Sequence, residues 1–160
     1  MVSESRARLE LLQLDEQSLF HGSGLKILEL EPRQAYTIID GVNTPDGEPA
    51  IYASQFIDYA IFMALINKEN CPTSTRSSCS YEYDQLVFGA TQKTLDQLNE
   101  NKNAIGYVHV LRRSAFTLRG GSEWFATEMQ KPHEIIEVRR ADFTEPIDII
   151  DDSVPIIDAV

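Results

Sequence analysis

The stretch QFIDYAIFMALINK, residues 55–68, decides the fold class of this 160-residue chain. Apolar side chains recur in it at the three-to-four-residue spacing of a helix with one buried face. They are Phe56, Tyr59, Ala60, Met63 and Ile66. Ser54 stands just before the stretch and is a residue type that commonly caps the first turn of a helix. We therefore predict a helix here, with Ser54 as its cap.

Short extended segments precede this helix. The end of a strand is predicted at residues 18–20, a strand at AYTIID (35–40) and a short buried strand at IYAS (51–54), since β-branched and aromatic residues favour extended backbone. Residues 41–50, GVNTPDGEPA, are predicted to form a loop because they are rich in turn-forming residues. The leading segment ESRARLELLQL (4–14) is compatible with a helix or with an entry strand.

Strands dominate the chain after the helix. A polar loop at 69–80 and a partly extended segment at 81–90 lead to a second predicted helix, TQKTLDQLNENK, ending near Asn103. AIGYVHVLRR (104–113) has the pattern of a strand buried on both faces. Further strands are predicted at AFTL, SEWFAT and HEIIEVRRADF. Because helices and runs of strands are segregated along the chain, we predict an α+β fold and not a parallel α/β sheet.

The length fits a single domain over residues 1–160, and its 42% hydrophobic content can supply a core. We place the core of the domain at residues 18–143. Residues 144–160 form an acidic and apolar tail that we expect to pack on the body because of its isoleucines. Pro146 and Pro155 argue against a regular element in this tail.

A net charge of −11 limits the partners of this protein. Binding to nucleic acid depends mainly on neutralising phosphates with Lys and Arg, so the charge argues against nucleic acid as the main partner. The segment LRRSAFTLRGG groups Arg112, Arg113 and Arg119 and is the candidate for a local basic patch. We favour the alternative that these arginines are solvated ends of strands.

Targeting signals and cysteine usage bear on the compartment. The leading MVSESRARLELLQL lacks the apolar segment of a secretory signal, and no stretch approaches the roughly 18 apolar residues of a membrane span. Cys71 and Cys79 lie in a Ser/Thr-rich segment without metal-site spacing, so we predict no metal. A loop disulfide is possible, but two free thiols in a cytoplasmic protein is the prediction that we favour.

Three short pieces, FHGS, IYAS and GGSEWFA, carry residue types suited to chemistry. They supply, in chain order, His21, Gly22 and Ser23, then Tyr52 and Ser54, then Glu123. Taken singly, each piece has an ordinary structural explanation: a histidine in a turn, a tyrosine in the core and a glutamate on the solvent face of a strand.

Taken in this order, the pieces resemble the ADP-ribosyltransferase-like fold of poly-ADP-ribose polymerases and diphtheria-type toxins. That family carries His-Gly-Ser or His-Gly-Thr at the end of a strand, then Tyr-Phe-Ala or Tyr-Ala-Ser before a helix with an early buried alanine, then a glutamate on a late strand. The matching positions here are His21-Gly22-Ser23, Tyr52-Ala53-Ser54 with Ala60, and Glu123, within residues 18–140. The resemblance implies a compact, split mixed or antiparallel sheet with a few flanking helices.

The resemblance also implies NAD as the substrate and a role for each matched residue. Glu123 would stabilise the oxocarbenium-like transition state as the nicotinamide–ribose bond breaks. Tyr52 would stack on the nicotinamide ring, and the backbone of Gly22 would hold its carboxamide. His21 would bond a ribose hydroxyl, and Ser23 or Ser54 would add a further contact.

Other functions stay open at this point. The same fold can serve a domain without catalysis, in which the cleft binds a ligand or partner and Glu123 does no chemistry. RNA 2′-phosphotransferases share the fold and a His-Gly piece, but their basic site residues are not evident here and the charge of −11 opposes an RNA substrate. A third alternative is an unrelated small α+β protein. The sequence specifies neither the acceptor nor the oligomeric state.

Overall fold

The computed structural model describes residues 2–151 and 157–158, and within them the chain forms helices and mostly antiparallel sheets. The helices are α1 (Glu4–Asp15), α2 (Ile57–Leu65) and α3 (Gln92–Glu100). The strands are β1 (Ser18–Ser23), β2 (Arg33–Ile39), β3 (Val42–Ala53), β4 (Ser77–Glu82), β5 (Gln85–Ala90), β6 (Ile105–Arg112), β7 (Thr117–Gly120), β8 (Glu123–Ala126), β9 (Glu134–Arg139), β10 (Ile147–Ile149) and β11 (Ile157–Asp158). The α+β class predicted from the sequence is confirmed.

The strands are arranged in three sheets. The first has the order β1-β6-β9, the second β10-β5-β4 and the third β11-β2-β3-β8-β7. Every pair is antiparallel except the parallel pair of β10 and β5. One backbone bridge, in which Phe20 and Ser54 exchange hydrogen bonds of 2.8 and 2.9 Å, joins the first sheet to the third. The two sheets separate on either side of this bridge.

Helix α2 packs directly on β1 and β6, and two glycines permit the close approach. A methyl group on Gly22 would lie 1.9 Å from the carbonyl oxygen of Ala60, and one on Gly106 would lie 2.0 Å from that of Ala64. The apolar face of the helix, including the fully buried Ile61, fills the main core against the β1–β6–β9 sheet. Packing at this density leaves no room for an added carbon atom.

The prediction of a loop at residues 41–50 is wrong for residues 42–50, which belong to β3; this strand and β2 form a hairpin. The turn is Asp40-Gly41, both with positive φ (51° and 77°), which is the Asp-Gly signal of a tight hairpin. Only residues 51–53 of β3 also pair with β8. The remainder of the strand is an edge, where prolines such as Pro45 are tolerated since no hydrogen bond is needed from them.

The predicted polar loop at 69–80 also extends too far, because β4 begins at Ser77. Its residues alternate between half-buried and exposed positions, so a polar composition is compatible with a strand here. The turn to β5 uses Tyr83 and Asp84, both with positive φ. Cys71 and Cys79 are free thiols, as predicted, and burial raises the pKa of Cys79 to about 12.

Helix ends differ in part from the prediction. Helix α2 begins at Ile57, so Ser54 lies too early to cap it, although its hydroxyl accepts a hydrogen bond of 3.1 Å from the Phe56 amide. Thr91 caps α3, which ends at Glu100 and not near Asn103. The leading segment, left open between helix and strand, is helix α1.

The tail contains regular structure, contrary to the prediction from its prolines. Strand β10 begins directly after Pro146 and pairs with β5, so the proline precedes the ladder and blocks none of its bonds. Strand β11 pairs with β2. The second proline, Pro155, lies outside the described residues.

No helix in the described part of the chain is long and apolar enough to cross a membrane.

Replacing Gly106 by alanine is expected to lower the free energy of unfolding by about 2–3 kcal/mol, because the new methyl group overlaps the Ala64 carbonyl in a packed core. Urea denaturation measures this change. Gly120→Ala is the control, since a carbon atom there would meet nothing within 4 Å. Equal stability of the two variants would contradict the close packing of α2.

Candidate functional site

His21 sits where the first and third sheets part. It follows Phe20, the bridge residue, in β1, and its ring Nδ1 lies 2.7 Å from the Tyr52 carbonyl oxygen. A carbonyl can only accept, so Nδ1 carries the proton and Nε2 of the neutral ring has its lone pair for another partner. Burial lowers the pKa of His21, the bond to Tyr52 opposes this, and the Arg33 guanidinium lowers the pKa again. The ring is therefore neutral at physiological pH.

A small cavity, here called the inner cavity, opens beside this ring and has a volume of about 40 Å³. The predicted site residues His21, Gly22, Tyr52, Ser54 and Glu123 all line it. They come from β1, β3, β8 and the residue after β3, so the fold brings together positions up to about a hundred residues apart. Phe20, Ala53, Tyr59, Ala60 and Met63 complete the lining.

Glu123 is the first residue of β8, and its half-buried side chain faces the inner cavity. The strand reaches this position through its pairing with β3, in which Ala53 stands opposite Trp124. Burial raises the pKa of Glu123, while the Arg119 guanidinium, 3.5 Å from the carboxylate, lowers it and Asp46 raises it. Glu123 is therefore protonated more easily than an ordinary glutamate, and one cation, Arg119, lies beside it.

Arg119 contacts two of the residues that line the inner cavity, Glu123 and Tyr52. Its guanidinium contacts Asp46 at 3.4 Å as well as Glu123, and its central carbon lies 5.5 Å from the centre of the Tyr52 ring. The side chain of Tyr52 is half-buried. One of its faces is covered by a cation that is itself 41% exposed and can be displaced.

A larger cleft, here called the outer cleft, adjoins the inner cavity and has a volume of about 880 Å³. His21, Gly22 and Met63 line both spaces, so they form the boundary between them. Most of its lining residues come from two segments: residues 23–33, from the end of β1 to the start of β2, and residues 66–77, from the end of α2 to the start of β4. Its charged lining residues are Glu29, Glu31, Arg33, Lys68, Glu69 and Arg76.

Gly22, Ser23 and Ser54 of the predicted site also make contacts within the protein. Gly22 lines both spaces, but its missing side chain is required by the contact with Ala60. Ser23 lines the outer cleft, and its hydroxyl accepts from the Leu25 amide at 3.1 Å. Ser54 is buried, with its hydroxyl bonded to the Phe56 amide. The ligand contacts of these three residues stay predictions.

Two residues that the sequence did not single out belong to this region. Tyr59 projects from α2 into the inner cavity, and burial raises its pKa, with smaller contributions from Cys79 and Glu123, so its hydroxyl stays protonated. His109 in β6 stands opposite His21 in the strand register, with ring centres 5.8 Å apart. In the sequence both residues look like core positions. The one signal for His109 is that two of the three histidines of the chain, His21 and His109, fall on strands that pair with each other.

Two of the three arginines of the candidate basic patch make contacts within the protein. Arg113 stacks on Trp124, with its central carbon 4.5 Å from the ring centre. Arg119 is engaged with Glu123 and Asp46. Two of the three cations are therefore occupied by contacts within the protein.

In comparison with known proteins, no family model matches this chain, and neither a curated protein nor a solved structure is significantly similar to it.

The stability of the protein is expected to fall as the pH is lowered from 6.5 towards 4. Burial lowers the pKa of His109 from 6.5 to about 4, so the unfolded chain binds the proton more tightly than the folded one. The contribution of the neutral ring is complete above pH 6.5 and is lost on acidification, with a total of about 3 kcal/mol at 1.36 kcal/mol per pKa unit. Urea unfolding at several pH values measures it.

His109→Gln serves as the reference, because glutamine does not titrate while His21 and the carboxylates continue to do so. The difference in stability between the wild type and this variant should shrink as the pH falls. A difference that stays constant from pH 7 to pH 4 would show that His109 has an ordinary pKa.

Proposed function

We propose that this protein binds NAD and transfers its ADP-ribose group to an acceptor, on a fold of the ADP-ribosyltransferase type. One observation carries the proposal. Five of the six residues chosen from the sequence line one inner cavity, although three separate segments supply them. They are His21, Gly22, Tyr52, Ser54 and Glu123. The sixth, Ser23, lines the adjoining outer cleft.

We assign the two spaces to the two parts of NAD. The outer cleft, at about 880 Å³, falls in the range of pockets that hold nucleotide-sized ligands, and it would take the ADP-ribose portion. The inner cavity, at about 40 Å³, has room for only one or two water molecules. The nicotinamide ring therefore enters only if side chains move, and the half-buried Tyr52 and Met63 are those that can give way.

Charge favours the placement of the diphosphate near His21. Arg33 lies close enough to lower the pKa of His21 and forms no ion pair among the described residues. A diphosphate in the outer cleft could pair with this guanidinium. Neutral His21, whose Nδ1 is committed to the Tyr52 carbonyl, would then accept a hydrogen bond from a ribose hydroxyl at Nε2.

Glu123 would supply the electrostatic stabilisation that the reaction needs. The bond between ribose C1′ and the nicotinamide nitrogen breaks, and its electron pair leaves with nicotinamide. Positive charge develops on the ribose, and a half-buried carboxylate stabilises it more strongly than one in bulk water. The acceptor nucleophile then bonds to C1′ and loses its proton, which a carboxylate with a raised pKa is suited to receive.

Glu123→Gln is expected to leave NAD affinity nearly unchanged and to reduce the rate of NAD cleavage by about 100- to 1,000-fold, as when one transition-state contact is removed. Thermal shift in the presence of NAD measures binding, and release of nicotinamide measures cleavage. Glu100→Gln, at an exposed position on α3, is the control and should behave as the wild type.

The outcome separates the candidate functions. A wild type that is stabilised by NAD but releases no nicotinamide with any acceptor tested is a binding domain without catalysis. No stabilisation at millimolar NAD contradicts the proposal altogether.

Tyr52→Ala is expected to weaken NAD binding by about 1–3 kcal/mol, roughly 5- to 150-fold in Kd, because a stacking face is lost. Its effect on the free energy of unfolding should be smaller than the ~3–5 kcal/mol of a buried aromatic, since the ring is half-buried. Titration calorimetry and urea unfolding measure the two effects. Tyr36→Ala, a partly exposed tyrosine on β2, is the control; a large loss of stability with unchanged affinity would assign Tyr52 to the core.

A further inference from the structure

His109 has a position that neither core packing nor catalysis explains. Its side chain is fully buried in the middle of β6, opposite His21. Nδ1 lies 3.0 Å from the carbonyl oxygen of His21, and Nε2 lies 2.9 Å from the amide nitrogen of Ile27. A carbonyl accepts and an amide donates, so these partners require a neutral ring with its proton on Nδ1. Both nitrogens are therefore occupied by backbone groups.

The partner Ile27 belongs to a wall of the outer cleft. The segment between Ser23 and Leu30 lies outside any strand, and Gly24, Ile27, Glu29 and Leu30 from it line the cleft. Leu30 is held by a two-bond bridge to Gln130. Between these ends, the described residues provide one hydrogen bond from the backbone of the segment to another strand, and it is the bond from the Ile27 amide to His109.

The bonds of the two histidines form one continuous series. It runs from the Ile27 amide through the ring of His109 to the peptide of His21, and from the ring of His21 to the carbonyl of Tyr52. The series thus connects the wall of the outer cleft to β6, β1 and β3. A movement of the wall has to break the partly buried bond between Ile27 and His109, and leaving such a bond unmade is costly.

We propose that His109 is a positioning residue for the nucleotide site: it fixes the wall segment around Ile27 relative to the ring of His21. This inference rests on the proposed function, because the ligand that the wall contacts is the ADP-ribose portion of NAD. His109 itself touches no ligand, since no part of it is exposed. If His109 only filled the core, replacing it would change the free energy of unfolding but not the position of the wall or the affinity for the ligand.

His109→Asn is the decisive variant, because its shorter amide can still donate to the His21 carbonyl but does not reach Ile27. Val110→Ala is the matched control, since Val110 is a fully buried neighbour in β6 that packs in the main core with α2. Amide hydrogen exchange at Ile27, followed by NMR, reports the bond directly. Calorimetric titration with ADP-ribose reports the function of the cleft.

We expect H109N to exchange the Ile27 amide about tenfold faster than the wild type and to bind ADP-ribose about tenfold more weakly, as for the loss of one buried hydrogen bond. V110A should lose stability without a selective change in either quantity. Ile27→Pro removes the donor N–H without changing His109 and should reproduce the weaker binding. Ile27→Ala keeps the N–H and is its control, because the Ile27 side chain itself lines the cleft and packs on a core cluster. Ile27→Pro decides the matter if H109N does not fold.

Two results overturn the inference, and they are distinguishable. If the wild type binds ADP-ribose and H109N and I27P bind it equally well, His109 is a core residue and only this inference fails. If the wild type binds neither ADP-ribose nor NAD, the proposed function fails and the positioning role falls with it.

Discussion

The contact between α2 and the β1–β6 pair fixes the geometry on which the rest of the structure depends. Gly22 and Gly106 bring the strands against the backbone of the helix at Ala60 and Ala64, closer than any side chain would allow. Most of the main core, including Phe62 and its aromatic partners, gathers around this contact. The position of β1 is thereby determined, and with it the position of His21 on the face of the strand away from α2.

The candidate site follows from that position. Strand β1 reaches β3 by a single bridge and then diverges, so His21 lies at the opening between two sheets. Its ring is held by Tyr52 and its peptide by His109, while β8 brings Glu123 to the same opening through its pairing with β3. Burial governs the ionisation here: it keeps both histidines neutral and raises the pKa of Glu123. The neutral ring of His21, which can accept a hydrogen bond at Nε2, and the carboxyl group of Glu123 are suited to a polar ligand with hydroxyl groups.

The sequence was informative where periodicity or local chemistry controls the outcome. The spacing in α2 and the apolar run of β6 predicted both elements, and the residue types of His21, Tyr52 and Glu123 led to one cavity. The prediction was wrong where an edge position overrides composition: residues 41–50 have the composition of a loop, but residues 42–50 form part of strand β3. His109 was missed because its significance depends on register: only the pairing of β1 and β6 places it opposite His21 and within reach of Ile27.

An NMR titration of the labelled protein with NAD shows whether the inner cavity and the outer cleft form one ligand site. We expect the largest shifts at residues around both spaces: Gly22 and His21 at their boundary, Glu123 on one side and Arg33 on the other. The Nε2 resonance of His21 should shift with them, since in the proposed function this atom accepts a hydrogen bond from a ribose hydroxyl. Shifts confined to a different surface, or none at millimolar NAD, would contradict this expectation.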